Sequence, residues 1–297
     1  MKKMLKLSSI NLHLRFNTPA QLPYWLGSAF RGVFGREVRR ALCIDISKEC
    51  KECIDKENCL YFYIYEKPVA KRGHSPPQRP VILVPPFFGK VMRFENNGKL
   101  DLKVLFFGDF SRYAPHVLLA LRMAGQEGIG NERYYNMNRF VIESGTCDFS
   151  KKNIYDGRSL DLNNLESLEI SKIKPLNGNI YCVRFRTPLS IRKFPPSAYD
   201  ILDLIRNRLI RFVNEYGDCS KVPEFNAKGR IIECKSNQHV LKRRSSRSEK
   251  NLFKGYTGIV RYEYDEIDEN GRWLLAVGNL IGCGPDSSFG LGFLNIE

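Results

Sequence analysis

Long apolar stretches are missing from this sequence. The longest strongly apolar run near the middle of the chain extends from Val81 to Phe88 and contains Pro85 and Pro86, whereas a membrane-spanning helix needs about 20 predominantly apolar residues. Residues 1–6 are basic, but no long apolar segment with a small-residue cleavage site follows them. We therefore expect a soluble, cytoplasmic protein that does not partner a membrane.

Acidic residues are also scarce. The 297 residues include 32 Asp and Glu against 47 Lys and Arg, which gives a net charge of +15. Such an excess attracts polyanions, because neutralising phosphates releases condensed counterions. Charge alone is compatible with RNA, DNA, an anionic lipid or a ribosomal partner. It therefore indicates a polyanionic partner but does not indicate a reaction.

The residue pattern predicts the same plan twice. In the first half it favours strands and helices, in order, at residues 5–16, 23–42, 91–94, 102–107, 115–125 and 134–142. A polar stretch at 143–164 is typical of a linker. The second half then favours elements at residues 181–191, 198–213, 230–234, 258–264, 274–280 and 293–296. In the helix at 198–213, Arg206, Arg208 and Arg211 are assigned to the side opposite the apolar stripe.

Two short sequence matches support this repeat. Arg15-Phe16-Asn17-Thr18-Pro19 reappears as Arg184-Phe185-Arg186-Thr187-Pro188, and Gly128-Ile129-Gly130 is matched by Gly290-Leu291-Gly292. The order of elements predicts an α+β fold of two tandem ferredoxin-like (βαββαβ) domains. We place the N-terminal domain at residues 1–145 and the C-terminal domain at 146–297.

The last third of the chain carries a family resemblance. Its segments are Arg243-Arg244-Ser245-Ser246-Arg247, Gly255-Tyr256-Thr257-Gly258-Ile259-Val260, Leu274-Leu275-Ala276-Val277-Gly278, and the stretch from Gly282 to Gly292 with its G-x-G and S-F-G-x-G patterns. They resemble the C-terminal part of the CRISPR-associated endoribonucleases that process repeat RNA (Cas family six), which belong to the RAMP superfamily. Leu26-Gly27-Ser28-Ala29-Phe30-Arg31-Gly32 and Phe107-Gly108 through Gly130 add weaker support from the first half.

The resemblance implies a RAMP-type fold and a CRISPR repeat transcript as the RNA partner. It also implies cleavage without a catalytic metal, in which the 2′-hydroxyl of the RNA attacks and leaves a cyclic phosphate and a 5′-hydroxyl. Other Cas proteins are further partners that it suggests. The alternative within the superfamily is a non-catalytic subunit that binds guide RNA in an effector complex.

The basic segment between His239 and Lys254 is the first candidate RNA-binding region. Guanidinium groups match the geometry of phosphates, and serines can add hydrogen bonds, although most charged runs are merely solvated. The predicted RNA-binding residues there are Lys242, Arg243, Arg244, Ser246 and Arg247.

Glycines in the last segment are the second candidate. Without a β-carbon, a glycine allows backbone N–H groups to approach a phosphate closely, but the same pattern is also typical of a tight turn. The resemblance favours RNA contact by Gly282, Gly284, Gly290 and Gly292.

Candidate catalytic residues are few, because the chain has only four histidines. Many members of the family that it resembles have a histidine on or near the first helix, and this chain has none between His13 and His74. His239, beside the basic segment, is therefore the first candidate and His13 the second. Tyr24 and Arg31 occupy the region where relatives keep catalytic groups. His74 is a candidate for RNA contact, and His116 is interpreted as structural.

Four of the nine cysteines, Cys43, Cys50, Cys53 and Cys59, fall within one short polar segment. A CxxC turn with two further thiols is a ligand set for structural zinc or for an iron–sulfur cluster. The spacing differs from the paired CxxC signature, so free thiols remain an equal alternative. No cofactor is expected for catalysis itself.

Overall fold

The computed structural model describes residues 4–69, 77–218, 221–242 and 252–297. It divides into an N-terminal unit, residues 6–168, and a C-terminal unit made of the first residues through Leu5 and residues 169–297. The sequence placed this boundary after residue 145. The structure places it later, because the segment predicted as a linker continues the first sheet.

The N-terminal unit contains β1 (Lys6–Phe16), β2 (Ala20–Leu22), α1 (Leu26–Leu42), β3 (Val81–Val84), β4 (Met92–Phe94), β5 (Lys99–Phe107), α2 (Ala114–Glu127), β6 (Phe140–Cys147), β7 (Asn153–Tyr155) and β8 (Ser167–Glu169). Its main sheet has the order β3-β5-β1-β6-β7, with β8 also paired to β1. The strands β3, β5, β1 and β6 are joined antiparallel, which with α1 and α2 is the ferredoxin-like arrangement.

The C-terminal unit contains β9 (Ile180–Leu189), α3 (Ala198–Tyr216), β10 (Ala227–Lys242), β11 (Leu252–Ile267), α4 (Glu269–Ile281) and β12 (Leu294–Ile296). Its sheet has the order β10-β11-β9-β12, and the order of elements along the chain is again βαββαβ. The prediction of an α+β fold with two ferredoxin-like domains is therefore confirmed.

Apolar periodicity accounts for most of these elements. In β1, Ile10, Leu12, Leu14 and Phe16 are buried, as alternation requires. In α3, the Ser197 hydroxyl accepts a hydrogen bond from the Asp200 N–H, and the Asp200 carboxylate accepts one from the Ser197 N–H. This capping box fixes where the helix begins.

Three local predictions differ from the structure. Residues 132–135 form a 3₁₀ turn, and the last strand of the N-terminal repeat begins only at Phe140. The supposed linker contains the end of β6 and all of β7, which pair with each other. The two short strands predicted at 230–234 and 258–264 are the middle of a hairpin whose strands are each 16 residues long.

The repeated Thr-Pro pairs make the same contacts in both units. The carbonyl oxygen of Pro19 accepts a hydrogen bond from the N–H of Asn138 at 3.1 Å, and Pro188 accepts one from Gly292 at 3.0 Å. The Thr18 hydroxyl oxygen accepts the N–H of Arg139, which follows Asn138. In the same way the Thr187 hydroxyl oxygen accepts the N–H of Phe293, which follows Gly292. The sequence match therefore marks equivalent positions of the two copies.

The pairing of Gly128-Ile129-Gly130 with Gly290-Leu291-Gly292 in the sequence was wrong, because the two segments are not structurally equivalent. Gly128 follows the end of α2 and Gly282 follows the end of α4. The residue after each glycine donates its N–H in the same way, from Ile129 to the Asn138 carbonyl and from Cys283 to the Gly292 carbonyl. The counterpart of Gly128-Ile129-Gly130 is thus Gly282-Cys283-Gly284, because the helix end determines the equivalence.

None of the helices in the described ranges has the length and apolar character needed to span a membrane.

Candidate nucleic-acid interface

One face of the C-terminal sheet carries unpaired positive charge. Along β9, Tyr181, Val183 and Phe185 are buried, whereas Arg184 and Arg186 are exposed on the other face. Within the described ranges neither arginine forms an ion pair, while Lys235 on β10 contacts Glu233 at 2.8 Å. The two arginines are therefore available to an external anion.

These arginines border an open cleft of about 630 Å³. Its wall is completed by polar and backbone groups of the β10–β11 hairpin, and the lining side chains that can form hydrogen bonds include Lys235, Ser236, Asn237 and Thr257. Two guanidinium groups beside amide and hydroxyl groups are the composition that contacts sugar and phosphate oxygens.

Gly258 shapes the floor of this cleft. Its φ is +145°, and a β-carbon there would lie 2.1 Å from the carbonyl oxygen of Lys235. The pairing of β11 with β9 shifts register between Tyr256 and Gly258. The glycine thus permits a bulge in the pairing of β11 with β9 while its backbone lies against Lys235 of β10.

His239 lies next to the cleft through Thr257. Its Nε2 atom is 2.7 Å from the Thr257 hydroxyl oxygen, and Thr257 lines the cleft. Burial lowers the pKa of His239 below its ordinary value, so its imidazole is neutral at physiological pH. A neutral imidazole beside a cationic cleft has the protonation state that a general base needs.

The hairpin has a second cleft on its opposite face. Gln238 and Tyr256 are paired directly and alternate with Asn237 and Thr257, so they point the other way. They line an open volume of about 460 Å³ together with Arg192 and Lys254. Both faces of this part of the hairpin therefore carry cations.

Only part of the predicted basic segment can be placed. Lys242 is the exposed last residue of β10, paired with Leu252 of β11. Arg243, Arg244, Ser246 and Arg247 lie outside the described residues, as does His74. Their contact with RNA stays a prediction.

The glycine-rich loop uses its own backbone donors. The N–H of Gly282 donates to Gly278, that of Gly284 to Leu204, that of Gly290 to Ser287 and that of Gly292 to Pro188. These four groups therefore do not point at an external phosphate. Any RNA contact by this loop, which stays a prediction, would use its other atoms.

A buried arginine lies inside that loop. Arg208 of α3 donates to the carbonyl oxygens of Gly284 and Leu291 at 2.8 and 2.9 Å, and also to those of Ile281 and Pro285. Burial lowers its pKa to about 10, which still leaves it charged at neutral pH. The prediction that Arg208 lies opposite the apolar stripe of α3 was wrong. It follows Ile205 by three residues and precedes Phe212 by four, which places it on the same face.

The corresponding face of the N-terminal sheet is charge-balanced. His13 Nδ1 lies 2.7 Å from an Asp101 carboxylate oxygen, and Lys103 Nζ lies 2.9 Å from Asp148. Arg15, which lies on β1 with His13, contacts Glu143 at 2.6 Å. His13 is thus an exposed imidazole oriented by a carboxylate, on a surface where Arg15 and Lys103 are already paired with carboxylates.

Tyr24 and Arg31 belong to the packing around α1. The half-buried Tyr24 precedes the helix, and its carbonyl accepts the N–H of Gly89 at 3.3 Å. The Arg31 guanidinium lies over the Tyr65 ring at 4.5 Å, and the Tyr65 hydroxyl donates to the Arg31 carbonyl at 2.7 Å. A catalytic role for either residue stays a prediction.

The four clustered cysteines line one cavity. It has a volume of about 220 Å³, and His116 also contributes to its wall. All four are free thiols. In the ranges that the structure describes, no three His, Cys, Asp or Glu side chains are arranged as a metal site.

Sequence reasoning missed Arg184 and Arg186, which it used only as markers of the repeat. Their signal was present, because they occupy alternate positions of an otherwise apolar strand. Alternation places both on one face, but only the tertiary structure shows that no carboxylate among the described residues pairs with them.

Comparison with solved structures defines the class of fold. The chain is similar to the Cas6 protein of Thermus thermophilus, with a TM-score of 0.54, 13% identity and 99% of each chain covered. A Cas6 product complex matches with a TM-score of 0.55 and 15% identity, covering 98% of this chain and 99% of that chain. The protein of a Cas6-related gene of Pyrococcus furiosus matches with a TM-score of 0.52 and 9% identity, covering 98% of each chain. The fold is that of the Cas6 and RAMP proteins.

Sequence comparison identifies the family. The profile of the AF_1859 N-terminal domain matches residues 5–167, and that of the AF_1859 C-terminal domain matches residues 181–296. An uncharacterized protein of Archaeoglobus fulgidus is 37% identical over 294 residues, which cover 99% of this chain and 98% of the relative. The chain belongs to the AF_1859 family.

Proposed function

We propose that this protein binds CRISPR repeat RNA through the cleft on its C-terminal sheet and cleaves it as an endoribonuclease. The observation that carries the proposal is the pair Arg184 and Arg186, two exposed arginines beside Asn237 and Thr257. In the described ranges no carboxylate pairs with either arginine. Release of counterions from phosphates would supply most of the affinity.

The comparisons support this choice among polyanions. A Cas6 structure of the same fold was solved as a product complex, and the glycine-rich C-terminal segment resembles the repeat-RNA processing family. Structured RNA is recognised mainly by shape and backbone contacts. A groove rich in guanidinium and amide groups suits that mode of recognition.

The proposed cleavage is a transesterification within the RNA. The 2′-oxygen forms a bond to the adjacent phosphorus, and the bond from phosphorus to the 5′-oxygen of the next nucleotide breaks. A general base takes the 2′-hydroxyl proton, and the leaving 5′-oxygen receives a proton. The products are a 2′,3′-cyclic phosphate and a 5′-hydroxyl, and the atoms balance without a metal.

His239 is the proposed base. It lies one hydrogen bond from the cleft, and burial keeps its imidazole neutral. Arg184 and Arg186 would stabilise the negative charge that builds up on the phosphorane oxygens. His13 is the second candidate, because Asp101 orients its ring.

One experiment tests both binding and cleavage. The full chain is incubated with a repeat RNA and a chelator, beside the same RNA with a 2′-deoxy residue at the cut. We expect cleavage of the first RNA and intact binding of the second. Failure to bind either RNA would overturn the proposed function, and cleavage that requires a divalent ion would overturn the mechanism.

A second function has one observation in its favour. Helix α1 (Leu26–Leu42) contains no histidine, although many members of the family that the chain resembles have one there. The protein would then be a non-catalytic RAMP subunit that holds guide RNA together with other Cas proteins. Tight binding of both RNAs without cleavage of either would favour it.

A further inference from the structure

The cysteine-containing insert, residues 43–59, lacks an apolar core of its own. It connects α1 to a short helical segment at Phe62–Glu66. Ile44, Ile46 and Ile54 are 71%, 59% and 91% exposed. Apolar side chains that face water contribute little to folding. Of the residues in this segment, Cys50 and Cys59 pack against the hydrophobic core of the unit.

Hydrogen bonding within the insert is mostly local. The Glu52 N–H donates to Glu49 at 3.0 Å and the Cys59 N–H to Lys56 at 3.2 Å, both across single turns. Longer ties are made by side chains outside the insert, from Arg39 to the Ile46 carbonyl at 2.9 Å and from Tyr113 to the Asn58 carbonyl at 3.3 Å. Turns of this kind do not connect the middle of a segment to both of its ends.

The four cysteines are placed to make that connection. Cys43 caps the end of α1, where its N–H donates to the Arg39 carbonyl. Cys59 precedes the next helical segment, and Cys50 and Cys53 lie on the intervening turns. All four are half-buried and line the same cavity of about 220 Å³. An ion bound by these thiols would join the middle of the insert to both ends.

We propose that the insert is a structural zinc site with the thiolates of Cys43, Cys50, Cys53 and Cys59 as ligands. Four sulfurs satisfy the tetrahedral preference of Zn²⁺ and close the site to other chemistry. The described thiols are not arranged as a ligand set, so binding draws them from the cavity wall onto the ion. Each thiol loses its proton as its bond to zinc forms. This inference goes beyond the proposed function and does not rest on it.

Zinc is the simpler occupant of this ligand set. A zinc ion joins four thiolates directly, whereas a cluster also needs inorganic sulfide. His116 lies on the cavity wall, but it belongs to α2, outside the segment that lacks internal support. The four sulfurs are therefore the ligands, and His116 is not one of them.

The test is elemental analysis of the full chain, purified under reducing conditions after growth with zinc. We expect one zinc per chain, and close to none in the Cys50→Ser, Cys53→Ser double variant. The matched control is Cys182→Ser with Cys234→Ser, which removes two thiols of the C-terminal unit and should retain the full zinc content. His116→Ala should also retain it.

A second measurement uses the unaltered chain, in case the variants misfold. Zinc is removed with a chelator and replaced by Co²⁺, which should give a thiolate-to-cobalt charge-transfer band and the visible bands of tetrahedral cobalt. Absence of zinc in the parent together with absence of these bands would overturn the site. Iron with acid-labile sulfide would overturn the choice of zinc, and loss of zinc in His116→Ala would overturn the ligand set.

Discussion

The Nε atom of Arg208 donates to the carbonyl oxygen of Gly284 at 2.8 Å, from the middle of helix α3 into the glycine-rich loop. The other guanidinium nitrogens donate to carbonyls of the same loop region. An arginine that is 2% exposed thus replaces the water that these acceptors would otherwise bind. The loop owes its conformation to this side chain as much as to its glycines.

Loss of that guanidinium should destabilise the protein strongly. Arg208→Ala leaves buried carbonyl groups without donors, and each costs about 1–3 kcal/mol, so we expect a loss of at least about 3 kcal/mol. Denaturant unfolding measures it. Arg211→Ala removes an exposed arginine from the same helix and should change the free energy of unfolding by less than about 0.5 kcal/mol. Equal effects of the two substitutions would contradict the role of Arg208.

Gly292 should tolerate a β-carbon less well than Gly178. Both have positive φ, +74° and +95°, but a β-carbon at Gly292 would lie 2.1 Å from the Cys283 carbonyl oxygen, whereas at Gly178 nothing lies within 4 Å. Gly178→Ala should cost about 1–2 kcal/mol from backbone strain alone. Gly292→Ala should cost about 1–3 kcal/mol more from overpacking. Thermal or denaturant unfolding of the pair separates the two contributions, and similar losses would argue against tight packing at the loop.

Removing both cleft arginines should weaken RNA binding and reduce its dependence on salt. Each phosphate contact contributes about one unit to the slope of log affinity against log salt, so Arg184→Ala with Arg186→Ala should lower the slope by about two. The control is Lys172→Ala with Lys174→Ala, which removes the same charge from exposed positions of the same unit. If the control lowers the slope equally, overall charge explains binding and the cleft does not.

Cleavage should remain active below the pH at which an ordinary histidine becomes protonated. Burial lowers the pKa of His239, so a base with this pKa loses activity only when the pH falls below about 6.5, the usual histidine value. His239→Ala should slow single-turnover cleavage by about 10²–10⁴-fold without changing affinity. His13→Ala serves as the control, and we expect its rate to stay near that of the parent. An acid limb above pH 6.5 would count against His239 as the base. Loss of cleavage in His13→Ala, with the His239→Ala rate unchanged, would move the role to His13.

The order of elements and the repeat were readable from the sequence for a simple reason. Burial of one face imposes a period of two on strands such as β1 and a period near 3.6 on helices such as α1. The Thr-Pro pair also recurs, because Pro19 and Pro188 accept equivalent backbone hydrogen bonds. These are local requirements, and each copy of the fold has to meet them.

The site depended on contacts that local patterns do not encode. Whether an arginine is solvated, neutralised or buried is decided by what other segments place beside it. Arg15 meets Glu143 across a sheet, Arg184 meets no carboxylate in the described ranges, and Arg208 is enclosed by loop carbonyls. The sequence alone determined the two ferredoxin-like copies and the surplus of positive charge. Only the tertiary structure decided where that charge is left unpaired, because ion pairing and burial join residues far apart in the chain.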